Sequence, residues 1–375
     1  MSEPHRVFML AGEPSGDRIG ADFLRRMKAR KALEPIGVGG PEMASEGLSS
    51  IFPMSDLSVM GFADVIKRLP LLLWRIRQSA RFIIRQHPEM VVLIDSQVFS
   101  ALLARQLRKA GYERPIVLYV APSVWAWKPE RAPKLKPLFN EILAVLPFEP
   151  AALERLGGPL TTYVGHPAID AIPTPLALPT GAGKVALLPG SRGGEIRRHL
   201  PILAQLVARL ADHPKVSGFI LPTLPHLAAE LRAETASWAG AVEIIDDRAK
   251  RDDALRTCRA AVVTAGTVTL ELALSGIPMI GTYMPDKRLM HHYEKAGRPM
   301  IALPNIILGR AVVPEIAPGD DLVGRLYAGT ISVLEDEAVR GAQLSAFAEL
   351  RALMQHGAPE TPRQDPADRI LAYLR

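Results

Sequence analysis

Short uninterrupted apolar runs, each followed by a turn carrying glycine or a carboxylate and then by an amphipathic stretch, recur along this whole chain. In the first half the runs fall at 7–10, 35–38, 90–94, 116–120 and 142–146. In the second they fall at 185–188, 218–221, 242–245, 260–264 and 278–281. A strand with no polar face must be buried on both sides, which a parallel sheet covered by helices provides. Helices are expected over 20–30 and 99–110, from 196 onward, and up to 274. Between the halves, residues 172–181 contain Pro173, Pro175 and Pro179, a composition that suits a stiff linker. The expected organisation is one α/β domain over 1–172, a second over 182–345, and C-terminal helices over 346–375 that can cross back to the first. A chain of 375 residues is long enough for two such cores.

Composition narrows the partners. Charged residues make up 22% and hydrophobic residues 48%, which excludes a disordered chain. The net charge of +6 favours an anionic partner: a nucleotide diphosphate, a phospholipid surface or nucleic acid. The basic residues are dispersed, so nucleic acid is the weakest of the three. Cys258 is the single cysteine, which leaves no disulfide framework and fits a reducing compartment. No clustered His, Cys or carboxylate spacing suggests a metal, and none is expected. The opening apolar run is too short for a secretion signal, and nothing approaches the roughly 18–20 apolar residues of a spanning helix. The expected place is the cytoplasm, with residence at a membrane surface left open.

Several turns carry groups that chemistry can use. Residues 11–17 (Ala-Gly-Glu-Pro-Ser-Gly-Asp) join a strand to a helix. Gly12 lets the backbone approach a ligand, with Glu13 and Ser15 beside it, yet the same turn is an ordinary cap with Ser15 or Asp17 as the capping residue. It lacks the dinucleotide fingerprint, and no P-loop lysine motif occurs. Asp95 ends the run 90–94, where a carboxylate can act as general base or simply cap the next helix. Trp125 and Trp127 share one loop, residues 121–128, and suit either stacking on a sugar or acyl chain or a packed inter-domain loop. Residues 188–195 read Leu-Pro-Gly-Ser-Arg-Gly-Gly-Glu. Gly190 and Ser191 amides and the Arg192 fork, at the start of a helix, suit a diphosphate. Residues 264–271 repeat that logic: Gly266 and Thr267 offer amides, and Glu271, one turn on, can reach ribose hydroxyls. The segment 57–77 is apolar, basic and contains Trp74. It reads as a membrane-dipping face or as a core helix pair broken at Pro70, and composition alone leans to the core. His166 is a lone histidine of the kind that is more often structural than catalytic.

Taken together, these motifs, with Gly37–Pro41, Leu57–Phe62, Leu146–Glu149 and Leu303–Asn305, resemble in order and over nearly the whole chain the lipid-A-disaccharide synthase family. The Pro-Ser-Val-Trp-Ala-Trp run at 122–127 and the Pro-Gly-Ser-Arg-Gly run at 189–193 are the most specific. The resemblance implies the GT-B fold, two Rossmann-like domains facing across a cleft. It implies an inverting, metal-free transfer of 2,3-diacylglucosamine from UDP to the 6-hydroxyl of 2,3-diacylglucosamine 1-phosphate, a step of lipid A (lipopolysaccharide) biosynthesis. It places the essential aspartate at Asp95 and the essential arginine at Arg192. The nucleotide then falls to Gly190, Ser191, Arg192, Gly266, Thr267, Glu271 and Asn305, and the acceptor to Glu13, Ser15, Trp125 and Trp127. Met60, Phe62, Ile66, Leu69 and Leu72 fall on the family's membrane-contacting surface, at the inner face of the cytoplasmic membrane. A homodimer through the C-terminal region is also implied. No cofactor and no nucleic acid are. The chain departs from the family at Val98 and Ser100, where Asp and Asn are usual, and at Ala121, Lys128 and Pro14. These changes sit on the acceptor side, so a different acceptor, a UDP-sugar epimerase or a silent UDP- or lipid-binding protein are the rival expectations.

Overall fold

The computed structural model describes residues 4–57 and 62–374, with the side chains of all of these except 62–67, 248, 287 and 288. The chain forms two compact units. One comprises Met1–Pro167 together with Met354–Arg375, the other Ala168–Leu353.

The first unit is built on seven parallel strands: β1 (His5–Ala11), β2 (Leu33–Val38), β3 (Ser49–Ser50), β4 (Met90–Ile94), β5 (Ile116–Tyr119), β6 (Glu141–Ala144) and β7 (Thr161–Tyr163). Their order in the sheet is β3-β2-β1-β4-β5-β6-β7. The chain therefore builds outward from β1 in one direction, then reverses and builds outward from β4 in the other. β4 is buried along its whole length, and Val7 to Ala11 pair with Met90 to Ile94. Such a position accepts only apolar side chains, which is why 90–94 reads Met-Val-Val-Leu-Ile. The two-residue strand β3 is too short to carry a sequence pattern and was not expected.

Helix Pro14–Lys28 covers the sheet with Gly20, Phe23, Leu24 and Met27, spaced to fall on one stripe. Pro14 sits at its start, where a missing N–H costs nothing, and Arg25, Arg26 and Lys28 complement its C-terminal end. Asp17 does not cap this helix. Its buried carboxylate accepts hydrogen bonds from the backbone N–H of Gly40 (2.8 Å), Glu42 (3.0 Å) and Met43 (3.1 Å), and so caps the next helix, Pro41–Ser45. The expected break at Pro70 is also corrected. One helix runs from Phe62 to Gln86 with Pro70 inside it. Ile76, Ala80 and Ile83 bury on the core at helical spacing, and that stripe holds the helix together past the proline.

The second unit repeats the plan with β8 (Gly183–Leu188), β9 (Val216–Pro222), β10 (Val242–Ile245), β11 (Cys258–Thr264), β12 (Met279–Thr282) and β13 (Glu315–Ile316), in the order β10-β9-β8-β11-β12-β13. Here the strand order reverses between β8 and β11. The buried Arg259 of β11 donates to the carbonyls of Thr180 (2.7 Å), Gly181 (2.9 Å) and Leu334 (3.2 Å), which fixes the end of the proline-rich stretch to this unit.

Candidate active site

In open parallel sheets, ligands bind beyond the carboxyl ends of the strands at the point where strand order reverses. In the first unit that point lies between β1 and β4, and the residues immediately after them are Gly12–Glu13 and Asp95–Ser96. The two loops touch. A Cβ on Gly12 would lie 2.0 Å from Ser96 Oγ, so only glycine fits. Asp95 and Ser96 both take left-handed backbone conformations, with φ of 55° and 44°. Their loop is fixed from behind: the Asp95 N–H donates to the Tyr119 carbonyl at 2.9 Å, and the buried Ser100 hydroxyl donates to the Asp95 carbonyl at 2.9 Å. Non-glycine residues held this way carry strain that the surrounding bonds must offset, a pattern found at functional sites. Burial pushes the Asp95 carboxyl above its ordinary value, partly offset by a hydrogen bond from the Ser96 N–H. A raised carboxylate is a stronger base. Ser96 caps the helix without a side-chain bond, and Asp95 is not the capping residue.

The two rings of the tryptophan loop differ in burial. Trp125 is packed: its indole N–H donates to Glu149 Oε1 at 3.2 Å and its ring meets Phe148 edge-on at 4.8 Å. Trp127 is 48% exposed. Glu149, which carries no expected role, is fully buried and accepts a second bond from the Leu146 N–H at 3.0 Å. Burial lifts its carboxyl to about 7, against the pull of those hydrogen bonds. Its partner lies 24 residues away in sequence, so no local pattern announces the pair. Glu13 is exposed at the start of its helix and Ser15 is half-buried. His166 follows β7 and is half-buried.

A hollow of about 290 Å³ opens along the helix that follows Asp95, lined by Gln97, Val98 and Leu102 of that helix, Gln97–Lys109, by Trp127, and by Arg131 and Lys134. That helix buries Phe99, Leu103, Ala104 and Leu107 on one side. The further apolar residues Val98, Ala101 and Leu102 exceed what one buried stripe needs, and this surplus is the sequence signal for the hollow.

In the second unit the reversal point is flanked by the loops after β8 and β11, the same two turns that sequence singled out for phosphate. Gly190 has φ of 105°, and a Cβ there would meet Glu195 Oε2 at 2.7 Å. Arg192 precedes the helix Gly193–Leu210, 84% exposed, with Nη1 at 3.2 Å from Glu195 Oε1. Gly266 (φ 153°) precedes the helix Thr267–Leu274, and a Cβ there would meet open space. Ser191 and Thr267 are exposed. Two helix N-termini and an extended guanidinium are the groups that suit an anion. Glu271 is held at 2.6 Å by Arg251 Nη2. Asn305 departs from its expected part. It is 1% exposed, its amide donates to the Val313 carbonyl and Glu315 Oε1 (both 2.8 Å), and its Oδ1 accepts from the N–H groups of Val312 and Val313 (both 2.8 Å). With its bonds used internally, its side chain shapes the loop rather than touching a nucleotide.

Of the residues expected at a membrane, Met60 lies outside the described residues, as do the side chains of Phe62 and Ile66. Leu69 is exposed, together with Leu73 and Trp74 one turn on. Leu72 is half-buried against the core and so does not belong to that open face. No helix among the described residues is long and apolar enough to cross a membrane.

Residues 7–357 match the family model for lipid-A-disaccharide synthetase. A lipid-A-disaccharide synthase of Nitrobacter hamburgensis is 38% identical over 387 residues, covering 98% of this chain and 96% of that one. Among solved structures, the glycotransferase of kitacinnamycin superposes with a TM-score of 0.63 at 17% identity, over 99% of this chain and 100% of its own. An S. aureus MnaA–UDP co-structure does so with 0.62 at 14% identity, over 99% and 96%. The last two likenesses speak for a shared GT-B-type fold.

Proposed function

The chain belongs to the lipid-A-disaccharide synthase family, and from that premise we propose how its two reversal-point sites carry out the transfer of 2,3-diacylglucosamine from UDP to 2,3-diacylglucosamine 1-phosphate. The observation that carries the reading is Asp95: a carboxylate of raised pKa at the reversal point of the first sheet, on a strained backbone anchored from behind. Asp95 accepts the proton of the acceptor 6-hydroxyl as that oxygen bonds to the anomeric carbon. The bond from that carbon to the diphosphate oxygen breaks as the new one forms, which inverts the centre and frees UDP. Arg192, with the amides at the helix starts Gly193 and Thr267, meets the charge that grows on the diphosphate. In this reading Glu271, which pairs with Arg251, accepts from the ribose hydroxyls. No metal is needed when an arginine and two helix N-termini supply the positive field.

The test is product analysis with both lipid substrates. Asp95→Asn keeps the shape and removes the base, and it is expected to lower kcat by about 10²–10⁴-fold while UDP binding persists. The acid limb of the rate profile, where Asp95 takes up a proton as pH falls through its raised pKa, should vanish with it. Full activity of Asp95→Asn, or no disaccharide and no UDP from the native chain, overturns the reading.

The exposed apolar residues Leu69, Leu73 and Trp74, followed by exposed Arg77 and Arg81 on the helix Phe62–Gln86, support a peripheral seat on the inner face of the cytoplasmic membrane. A Leu73→Asp, Trp74→Asp double variant should lose most co-sedimentation with anionic vesicles. Unchanged sedimentation would remove this helix from the membrane contact.

A further inference from the structure

The hollow along the helix Gln97–Lys109 combines two features, one apolar and one cationic. Val98, 65% exposed, shares it with the exposed Leu102 and Trp127, so large apolar groups stand together at the surface. Arg105, Arg131 and Lys134 line the same hollow, make no ion pair among the described residues, and have no acidic residue among the lining. Cations gathered in this way repel one another until an anion joins them. An amphiphile with an apolar chain and an anionic head answers both features at once. At about 290 Å³ the hollow is near the low end of the roughly 300–1,000 Å³ of small-molecule pockets, which suits one chain rather than two. Gln97 and Val98, part of its lining, stand in the first turn of the helix that follows Asp95 and Ser96, so the hollow begins on the element that the base leads into. The carboxylate that the family resemblance puts at position 98 would place a negative charge here, and Val98 places none.

We infer that this hollow is the acceptor subsite. One acyl chain of the phosphoglycolipid lies over Val98, Leu102 and Trp127, and its phosphate meets Arg105, Arg131 and Lys134. The inference rests on the acceptor assigned above and names the residues that select it.

The experiment measures donor and acceptor KM separately in the intact chain, with acceptors of long or short acyl chain and with a 1-phosphate or a free 1-hydroxyl. Leu102→Asp and Val98→Asp change exposed positions and should raise the long-chain acceptor KM about tenfold or more, with the short-chain acceptor and the donor little affected. An Arg131→Ala, Lys134→Ala double variant should raise KM for the 1-phosphate acceptor and spare the 1-hydroxyl one. Acceptor KM values that stay unchanged, or that rise equally for the phosphate and hydroxyl forms, overturn the inference. If the chain transfers sugar to no lipid, the reaction assigned above falls. The subsite is then decided by direct binding of the same long-chain glycolipid 1-phosphate: weakened binding in Leu102→Asp supports it, and native affinity in that variant overturns it.

Discussion

Glu149 shows what a single buried carboxyl does to a surface loop. Both its oxygens are engaged, one by the Trp125 indole and one by the Leu146 N–H, and burial still lifts its pKa from an ordinary 4.5 to about 7. The folded chain therefore binds this proton where the unfolded chain has lost it. Its stabilising contribution is full below about 4.5 and disappears as pH rises through about 7. Glu149→Gln cannot titrate, and its amide nitrogen replaces one acceptor. The variant is expected to be less stable than the native chain at pH 5 by about 1 kcal/mol, with the gap closing or reversing by pH 8. Denaturant midpoints at several pH values would show it, and parallel curves for the two proteins would refute it. The residue scale is also where sequence reading is most uneven. The place of Asp95 at the end of an all-apolar strand was legible, but the sequence left base and helix cap open, and only the fold gives the cap position to Ser96. The difference in burial between Trp125 and Trp127 was not legible, since it depends on Glu149 and Phe148, which only folding brings near. Asn305 lay on a recognised motif, yet its side chain is consumed by Val312, Val313 and Glu315.

At the scale of elements, apolar runs revealed the longer strands because parallel strands covered on both faces are mostly apolar, with buried Arg259 and Glu141 as exceptions that bring their own partners. The two-residue strands Ser49–Ser50 and Glu315–Ile316 have no pattern to read, and Pro70 misled because a proline that usually breaks a helix sits in one held by its core stripe. Asp17 was likewise legible as a cap but not as the cap of another helix. By accepting three backbone N–H groups of 40–43 it ties the helix Pro14–Lys28 to the helix Pro41–Ser45. Gly40 has no room for a Cβ, which would lie 2.5 Å from Asp17 Oδ2. Asp17→Ala leaves the buried Met43 N–H and the partly buried N–H groups of Gly40 and Glu42 without this partner and should cost about 3 kcal/mol in chemical denaturation. Loss of less than about 1 kcal/mol would mean that water reaches them and that the link is dispensable.

On the scale of the whole chain, the last residues belong to the first unit although the second lies between them in sequence. The reason is chemical as well as steric. Glu141, the first residue of β6, is fully buried and its carboxylate accepts from Arg369 Nε (2.9 Å) and Nη2 (3.0 Å), from the Tyr373 hydroxyl (2.9 Å) and from Thr162 Oγ1 (2.5 Å). The Tyr163 hydroxyl donates to the Met354 carbonyl at 2.6 Å, and Arg30 reaches Asp365 at 3.2 Å. Sequence placed helices here and let them cross back, but a buried glutamate at a strand start gives no hint that its cation comes 228 residues later. Deleting residues 354–375 would strand the Glu141 carboxylate in an apolar surround with Thr162 as its remaining partner. Breaking a buried pair by removing one member costs about 3–5 kcal/mol, and the lost packing adds to it. The first unit's unfolding transition should therefore collapse, while the second, whose contacts to Arg259 and Arg351 stay within it, keeps its own. Replacing Glu141 by Gln in the deleted chain should restore part of the loss, because the stranded charge is gone. A deleted chain that unfolds like the native one, or a Glu141→Gln change that restores nothing, would show that the returning segment is an ornament on the first sheet and not a condition of its folding.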